Sequence, residues 1–457
     1  MREFREWGHK LIDWVADYLD SPERYPVLSG LHPNEIIDAL PAHGPEQGES
    51  LDRIFADFER IILPGITHWN HPAFLAFFAN TSSPPAILAE LLAAALNANG
   101  ILWRTSPAVT ELEIVTLRWL LDWFGLPREW FGMILDTAST STLHALAAAR
   151  VYVSPETRDA GAPHDLVVYC SEQAHSSVEK GAMALGFGRN NVRRIATDAE
   201  FRMRPELLAE AIARDRAAGL QPCCVVATAG TTSTTSVDPI PAIAEIAARE
   251  SIWLHVDAAY AGSAAVAPEY RWLLEGCARA DSLVFNPHKW LMVPVDCSVL
   301  YCRDREVLRR AFSLVPEYLE STEEGLNMMD YGIPLGRRFR ALKLWFVLRY
   351  YGREGLAQII RDQIGMTREL YERIEGDARF EICAPSRLSV VCFRLRGSDE
   401  INRRLLETIN ASRRFFISHT VLDGRVVLRI AIGNLRTSRA TLEELWELIA
   451  RLASPAA

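Results

Sequence analysis

The sequence predicts an α/β fold in which helices cover both faces of a mostly parallel central sheet. Between residues 84 and 345, short and nearly continuous apolar runs alternate with helical stretches, as in a sheet whose strands are buried on both sides. The composition is that of a globular chain, because 49% of the 457 residues are hydrophobic and 23% are charged. The 26 glycines and 24 prolines are too few for a collagen-like or low-complexity protein.

The predicted elements follow from the periodicity of apolar residues. These recur every three or four positions between Phe4 and Tyr18, which predicts an amphipathic helix, and a second helix is predicted over 51–62. Ser106 and Pro107 form a helix start, and Gly125 ends the apolar pattern that follows them. Strands are then predicted over 133–135, 166–170, 223–228, 252–256, 283–285 and 299–302, with helices at 142–150 and 242–249.

The C-terminal part of the chain has a different character. Helices are predicted over 356–375 and 402–410 and strands over 388–395 and 426–432, which indicates a smaller α+β domain. We therefore expect an N-terminal helical arm over 1–83, a large α/β domain over 84–345 and a small C-terminal domain over 346–457. An arm of two helices cannot bury both helical faces alone, so it should pack on another domain or on a second subunit.

Several classes of protein are excluded or disfavoured. The net charge of −9 argues against a nucleic-acid partner, which would require a basic footprint. The most apolar stretch, 86–103, is interrupted by Glu90, Asn97 and Asn99, so no membrane span is expected. The N-terminus is charged and has no signal-peptide core. The 8 cysteines form no CxxC pair and the 11 histidines no metal motif, which predicts buried thiols, no metal and a cytoplasmic location.

Two candidate residues directly follow predicted strands, where open α/β sheets bind their ligands. Lys289, in NPHKW, is flanked by His288 and Trp290. Partial loss of water would make its amine a nucleophile for a Schiff base, although a solvated lysine at a strand end fits equally well. Asp257, in HVDAAY, could pair its carboxylate with a buried cationic ring nitrogen of a ligand. Alternatively, it caps the turn that follows.

Two further segments complete a plausible cofactor site. The hydroxyl-rich run 137–142 starts a helix, where backbone amides can bind phosphate, although capping alone is the commoner use. No P-loop or GxGxxG motif accompanies it, which disfavours nucleotides. His175 could stack on a planar ring, act as an acid or base, or simply be exposed. An amine, a carboxylate, a phosphate-binding turn and an imidazole at one sheet edge are what pyridoxal phosphate requires.

Over nearly its whole length the chain resembles the pyridoxal-phosphate-dependent aromatic-L-amino-acid decarboxylases, among the group II amino acid decarboxylases. The likeness is carried by THWNHP, FLAFFAN, SPAVTELE, SEQAHSSVEKG, ATAGTTS, WLHVDAAYAGSA, NPHKWL, DCS and PLGRRFRALKLWFVLR. This resemblance implies fold type I and a homodimer with its active sites at the subunit interface. It also implies that the enzyme converts tryptophan, tyrosine, phenylalanine or DOPA to the amine and CO₂.

The resemblance also implies a role for individual residues. Lys289 would hold the cofactor, Asp257 would pair with its ring nitrogen and His175 would stack on the ring, while Tyr318 would return a proton to the substrate. The other positions at or near the cofactor would be Thr137, Ala138, Ser139, Thr231, Ala259, Asn286 and His288. The substrate would meet Trp69, Phe77, Phe78, Asn80 and Gly336, with Ile101 and Trp103 from the partner subunit.

The chain departs from the family pattern at a few positions. Asp136 stands where the animal enzymes have glycine beside the phosphate, Asn80 replaces a threonine and Ile101 replaces a phenylalanine. Gly336 favours tryptophan, because glycine accompanies indolic substrates in the plant relatives and serine accompanies phenolic ones.

Three alternatives stay open. One is an aldehyde synthase, whose relatives lack the tyrosine that Tyr318 matches. Another is a decarboxylase of an acidic or diamino acid, although no basic cluster is assigned to a distal carboxylate. The last is a catalytically silent homologue used for binding or scaffolding.

Overall fold

The computed structural model describes residues 1–314 and 325–454. Its helices are α1 Arg2–Asp20, α2 Glu35–Ala39, α3 Leu51–Asp57, α4 Pro84–Leu96, α5 Pro107–Phe124, α6 Ala138–Val153, α7 Thr157–Ala160, α8 Ser177–Ala184, α9 Pro205–Ala217, α10 Ile240–Arg249, α11 Pro287–Trp290, α12 Arg305–Phe312, α13 Arg340–Glu375, α14 Asp399–Ala411 and α15 Arg439–Leu452. Its strands are β1 Phe74–Leu75, β2 Phe131–Leu135, β3 Leu166–Ser171, β4 Val192–Ile195, β5 Gln221–Thr228, β6 Trp253–Asp257, β7 Ser282–Phe285, β8 Ser298–Cys302, β9 Phe380–Ile382, β10 Val390–Leu395, β11 Phe416–Leu422 and β12 Arg425–Ala431.

The contacts of the chain divide it into two compact units. The first consists of Met1–Ala79, Glu369–Cys383 and Cys392–Ala457, and the second of Asn80–Arg368 and Ala384–Val391. The division into an arm, a large domain and a small domain stays a prediction.

The second unit is built on a sheet with the strand order β2-β8-β7-β6-β5-β3-β4. Strands β4, β3, β5, β6 and β7 are parallel neighbours, whereas β8 is antiparallel to both β7 and β2. Since β2 therefore runs in the direction of β7, the carboxyl ends of β2, β3, β5, β6 and β7 share one edge. Every residue of β3, β6, β7 and β8 is buried, so both faces are covered, and the prediction of a mostly parallel sheet is confirmed.

The local signals in the sequence explain most element boundaries. Helix α5 begins after its N-cap Ser106 and ends at Gly125, whose φ of 73° is the left-handed conformation that glycine adopts without strain. The helix predicted over 51–62 is regular only to Asp57 and continues as one wider turn over Phe58–Ile62. The backbone of Arg340–Glu375 is not helical at Gly352, whose φ is 64° and ψ 174°, so this stretch consists of two helices, and the helix predicted over 356–375 lies in the second. Strand β4 is not predicted, because its two arginines hide the apolar pattern.

The first unit contains a smaller sheet in the order β1-β11-β12-β10-β9, to which β10 contributes from Cys392 onward. The short β1 pairs in parallel with β11. Aromatic side chains join α1 to the region of α3, with Trp7 packed on Phe55 and Trp14 on Phe58, ring centroids 5.5 and 5.6 Å apart. In neither described range does a helix combine the length and apolar character needed to cross a bilayer.

Candidate active site

The predicted cofactor residues lie at the one edge that the parallel strands share. The residues Thr137, Ala138 and Ser139 follow β2, His175 follows β3, Thr231 follows β5, Asp257 and Ala259 lie at the end of β6, and Asn286, His288 and Lys289 follow β7. Backbone hydrogen bonds join these ends, because Ala229 donates its N–H to Asp257 O at 2.8 Å and Asn286 donates to Ala259 O at 3.0 Å. The second unit thus collects all of these positions in one place.

Lys289 lies on the single helical turn α11, and its neighbour holds that turn in place. The Trp290 indole is fully buried and stacks on Tyr260, with ring centroids 4.6 Å apart and an interplanar angle of 6°. Its Nε1–H donates to Gln363 Oε1 at 2.6 Å. The backbone that presents the Lys289 amine is therefore fixed by packing and by a buried hydrogen bond.

Asp257 and Lys289 both act electrostatically on His175. Partial loss of hydration, the largest cause, lowers the pKa of His175, while the Asp257 carboxylate raises it and the Lys289 ammonium lowers it. Asp257 itself is 5% exposed, and its Oδ1 accepts the N–H of Ala259 at 3.0 Å. The amine, the carboxylate and the imidazole therefore belong to one site.

The protonation of His175 follows from its hydrogen bonds. Nδ1 accepts the backbone N–H of Ser177 at 3.1 Å and lies 2.9 Å from its Oγ. A nitrogen that accepts an N–H carries no proton, so the neutral ring has its proton on Nε2. The lowered pKa favours this neutral form near pH 7. The ring remains accessible to solvent and can face a planar ligand.

The turn after β2 has the character of a phosphate-binding site. Thr137 is the N-cap of α6, and Ser141 Oγ lies 2.8 Å from Ser298 Oγ, which ties the first turn of the helix to β8. The amides of such a turn attract an anion. The Asp136 carboxylate, however, accepts the N–H of Thr137 at 2.7 Å and places a negative charge beside the same turn.

The far side of the same edge has an unsatisfied polar atom. His288 Nδ1 accepts the N–H of Cys297 at 2.9 Å, and burial, the largest cause, lowers the pKa of His288 to about 4. Its Nε2 lies 3.3 Å from the amide nitrogen of Asn286, whose Oδ1 is buried with no partner among the described residues. A buried acceptor without a donor, beside a lysine and a carboxylate, fits a polar ligand such as pyridoxal phosphate.

The predicted substrate residues divide between the two units. In the first unit Trp69 stacks on Phe74 with centroids 4.2 Å apart and lies 6.1 Å from Phe77, while the guanidinium of Arg429 lies 4.7 Å from the Phe78 ring centroid. In the second unit lie Asn80, Ile101, Trp103 and Gly336.

Ile101 and Trp103 are held by the chain that follows the undescribed residues. Trp103 N–H donates to Asn327 Oδ1 at 3.0 Å, and Met329 N–H donates to Ile101 O at 3.4 Å. A Cβ on Gly336 would lie 3.6 Å from the Asn99 amide, so the position has room for a small side chain. Tyr318 lies outside the described residues.

A buried ion pair near the turn after β2 was not predicted from the sequence. Glu113 accepts from Arg337 Nη2 at 2.7 Å, and the two side chains are 2% and 6% exposed. Glu113 also accepts the N–H of Ile134 in β2 at 2.8 Å. One signal could have revealed it, because Glu113 occupies the apolar stripe of α5 together with Val109, Thr116 and Leu120.

Comparisons with known proteins cover almost the entire chain. Residues 33–396 match the family described as pyridoxal-dependent decarboxylase conserved domain. The chain is 43% identical to an aromatic-L-amino-acid decarboxylase of Mus musculus, over 99% of this chain and 98% of the relative. It is 42% identical to a phenylacetaldehyde synthase of Arabidopsis thaliana, over 99% and 96%. The crystal structure of an Oryza sativa TDC with PLP and tryptamine matches with a TM-score of 0.96 at 39% identity, over 99% and 98%.

Proposed function

This chain belongs to the pyridoxal-dependent decarboxylase family, and on that basis we propose that it decarboxylates an aromatic L-amino acid to the amine and CO₂. The observation that carries the proposal is the meeting of Lys289, Asp257 and His175 at one sheet edge. Full-length relatives include enzymes named for aromatic amino acids, for tryptophan and for tyrosine. An aromatic substrate is therefore favoured over an acidic or diamino acid.

The cofactor is pyridoxal phosphate, and the residues at the sheet edge fit it. When bound, it supplies an aldehyde for the substrate amine and a conjugated ring that accepts the electrons left when CO₂ departs. We propose that Lys289 holds the aldehyde carbon and that the turn Thr137, Ala138 and Ser139 holds the phosphate. Asn286, His288, Thr231 and Ala259 would complete the walls around it.

Asp257 and His175 would govern protons and orientation. The Asp257 carboxylate, buried and fixed by Ala259, would keep a proton on the ring nitrogen opposite it, because a buried anion favours a cationic partner. The neutral His175 imidazole would cover one ring face and exclude water there. Its Nε2–H would offer bound groups a hydrogen-bond donor without adding a positive charge.

We propose that Tyr318 delivers the proton that replaces the carboxylate on the substrate Cα. This assignment rests on the match of PEYL to the corresponding tyrosine of the family. The substrate roles of Trp69, Phe77, Phe78, Asn80, Ile101, Trp103 and Gly336 likewise rest on the motifs that contain them.

We propose that the protein is a homodimer whose partner supplies Ile101 and Trp103 to the site. Helix α4 is apolar on nearly all sides, and its Leu88, Leu91 and Leu96 are 48%, 52% and 65% exposed in the single chain. Several leucines exposed to this extent on one helix are typical of a surface that is buried in an interface, and a second copy of this chain would bury them. Free cysteines, almost all buried, support a cytoplasmic location.

One alternative has a specific observation in its favour, since an aldehyde synthase is 42% identical to this chain. That reaction consumes one O₂ and one water for each amino acid and yields the aldehyde, CO₂, ammonia and hydrogen peroxide. It requires that the substrate carbon escape protonation after CO₂ has left. The presence of Tyr318 therefore favours the amine as the main product.

A single experiment separates these possibilities. Purified enzyme is supplied with tryptophan, tyrosine, phenylalanine, DOPA, histidine or glutamate, and CO₂, amine, aldehyde and peroxide are quantified together. We expect amine and CO₂ in equal amounts from at least one aromatic amino acid, with Lys289→Ala inactive as the control. Stoichiometric peroxide would identify an aldehyde synthase, and turnover of glutamate alone would overturn the substrate class.

A further inference from the structure

Asp136 lies in the turn after β2, and the proposed function leaves its role open. The residue is half-buried and directly follows the last residue of β2. Its Oδ1 accepts the backbone N–H of Thr137 at 2.7 Å. Because Thr137 is the N-cap of α6, this N–H is one of the donors that a helix start offers to an anion. The carboxylate therefore occupies a donor that a phosphate would otherwise receive.

The remaining donors of this turn are few. The N–H of Thr140 donates to Thr137 Oγ1 at 3.5 Å, as in an ordinary capped helix. The first amides of a helix have no acceptor within the helix itself. In the part of the chain that the structure describes, those of Ala138 and Ser139 have no other acceptor either. A phosphate at this turn would thus meet two free amides and, beside them, the Asp136 carboxylate.

The charge of Asp136 is not balanced by a cation of its own. Among residues 1–314 and 325–454, no lysine or arginine forms an ion pair with it. Arg340 lies within its electrostatic reach, but both carboxylate oxygens of Asp296 already bind that guanidinium, at 2.9 and 3.1 Å. Arg337 is likewise paired with Glu113, at 2.7 Å. Both guanidiniums are therefore balanced by other acids, and Asp136 adds a negative charge to the turn.

We propose that Asp136 is a specificity-determining residue of the cofactor site, which opposes the phosphate by charge and so reduces the preference for phosphorylated over phosphate-free ligands. The inference rests on the proposed function for the place of the phosphate, at Thr137, Ala138 and Ser139. A phosphate ester carries about 1.5 to 2 negative charges at pH 7. Repulsion from the carboxylate offsets part of its attraction to the free amides. The cofactor is consequently released more readily than from the same turn without Asp136.

The substitution Asp136→Asn separates the charge from the hydrogen bond. Its amide oxygen can still accept the N–H of Thr137, but the negative charge is gone. The probes are pyridoxamine phosphate and pyridoxamine, neither of which has an aldehyde that could react with Lys289. Their dissociation constants for cofactor-free protein are measured by isothermal titration calorimetry. Asp136→Asn should bind pyridoxamine phosphate about tenfold more tightly than the parent, with pyridoxamine binding unchanged.

Two further variants test whether the effect is local and how the hydrogen bond contributes. Asp122→Asn removes the same charge on the other side of β2, where Asp122 lies 3.7 Å from Arg128, just before that strand. It should leave both dissociation constants unchanged. Asp136→Ala removes the charge and also frees the N–H of Thr137, so it should tighten phosphate binding at least as much as Asp136→Asn. The gain in Asp136→Asn should shrink as ionic strength rises, which a purely structural effect would not do.

The outcomes decide the proposal. Equal affinity of the parent and Asp136→Asn for pyridoxamine phosphate overturns it, and so does an equal gain for pyridoxamine or in Asp122→Asn. A gain in Asp136→Ala alone overturns it too, because the hydrogen bond would then be responsible. If Asp136→Asn does not fold, Asp136→Ser removes the same charge, keeps a short oxygen acceptor and should show the same gain. If neither compound binds the parent or any variant, the proposed function fails instead.

Discussion

The ion pair between Glu113 and Arg337 should be a major determinant of the stability of the second unit. Glu113 Oε1 accepts from Arg337 Nη2 at 2.7 Å and from the N–H of Ile134 at 2.8 Å. One oxygen therefore binds both the guanidinium and the backbone of β2. Arg337 Nη1 already has no partner among the described residues. The substitution Glu113→Ala leaves a buried cation without its counter-charge and a buried N–H without an acceptor.

The expected magnitude follows from these contacts. Removal of one partner of a buried ion pair costs about 3–5 kcal/mol. The orphaned N–H of Ile134 alone would cost about 1–3 kcal/mol, but the two losses share one oxygen and do not add fully. We therefore expect Glu113→Ala to lower the free energy of unfolding by about 4 kcal/mol. Glu113→Gln retains an acceptor for both donors and should lose about half as much.

The assay is urea unfolding of cofactor-free protein, followed by tryptophan fluorescence. The parent should be most stable, followed by Glu113→Gln and then Glu113→Ala. The double variant Glu113→Leu with Arg337→Met should regain part of the loss, because replacing both charges with apolar groups removes the uncompensated cation, whereas the N–H of Ile134 still lacks its acceptor. A Glu113→Ala variant within about 1 kcal/mol of the parent, or a double variant less stable than Glu113→Ala, would show that this ion pair does not stabilise the second unit in the way described.

Three further predictions concern products, specificity and pH. Tyr318→Phe should raise aldehyde and peroxide relative to amine in a coupled peroxide assay, and unchanged products would remove its role as proton donor. Gly336→Ser, which has room beside Asn99, should lower the ratio of kcat/KM for tryptophan over tyrosine by about tenfold, and an unchanged ratio would contradict it. His144, His255 and His288 have pKa values lowered to about 4, chiefly by burial. Their neutral forms contribute stability that is fully present above the unfolded pKa of about 6.5 and is lost as the pH falls toward about 4. The melting temperature should therefore drop between these two pH values. A melting temperature that stays constant over this range would show that the three histidines do not make stability depend on pH.

The sequence was sufficient to predict the central sheet because its strands are almost wholly apolar. Asp257 could be located at a strand end because the apolar run before it stops there, and β6 does end at Asp257. The strand Phe416–Leu422 was missed because the polar residues Ser418, His419 and Thr420 interrupt its apolar pattern. Strand β4 was missed for a similar reason.

Long-range partners of the site could not be predicted from one sequence. The residue types in NPHKW and HVDAAY indicate a cofactor site. The order of the strands in the sheet places both motifs at one edge. The support for that chemistry comes from pairs far apart in the chain, such as Trp290 with Gln363 and His144 with Ile333. Neither partner carries a local signal, because a glutamine in a long helix and a backbone amide look ordinary in sequence.

The proposed site can be tested by finding which lysine holds the cofactor. The chain has four lysines, Lys10, Lys180, Lys289 and Lys343, so the assignment by mass spectrometry is unambiguous. Protein loaded with pyridoxal phosphate is reduced with borohydride, which fixes the cofactor to its lysine, and is then digested and mapped. The modification is expected on Lys289 and should be lost in Lys289→Ala. Modification of Lys10, Lys180 or Lys343 in place of Lys289, or of no lysine, would contradict it.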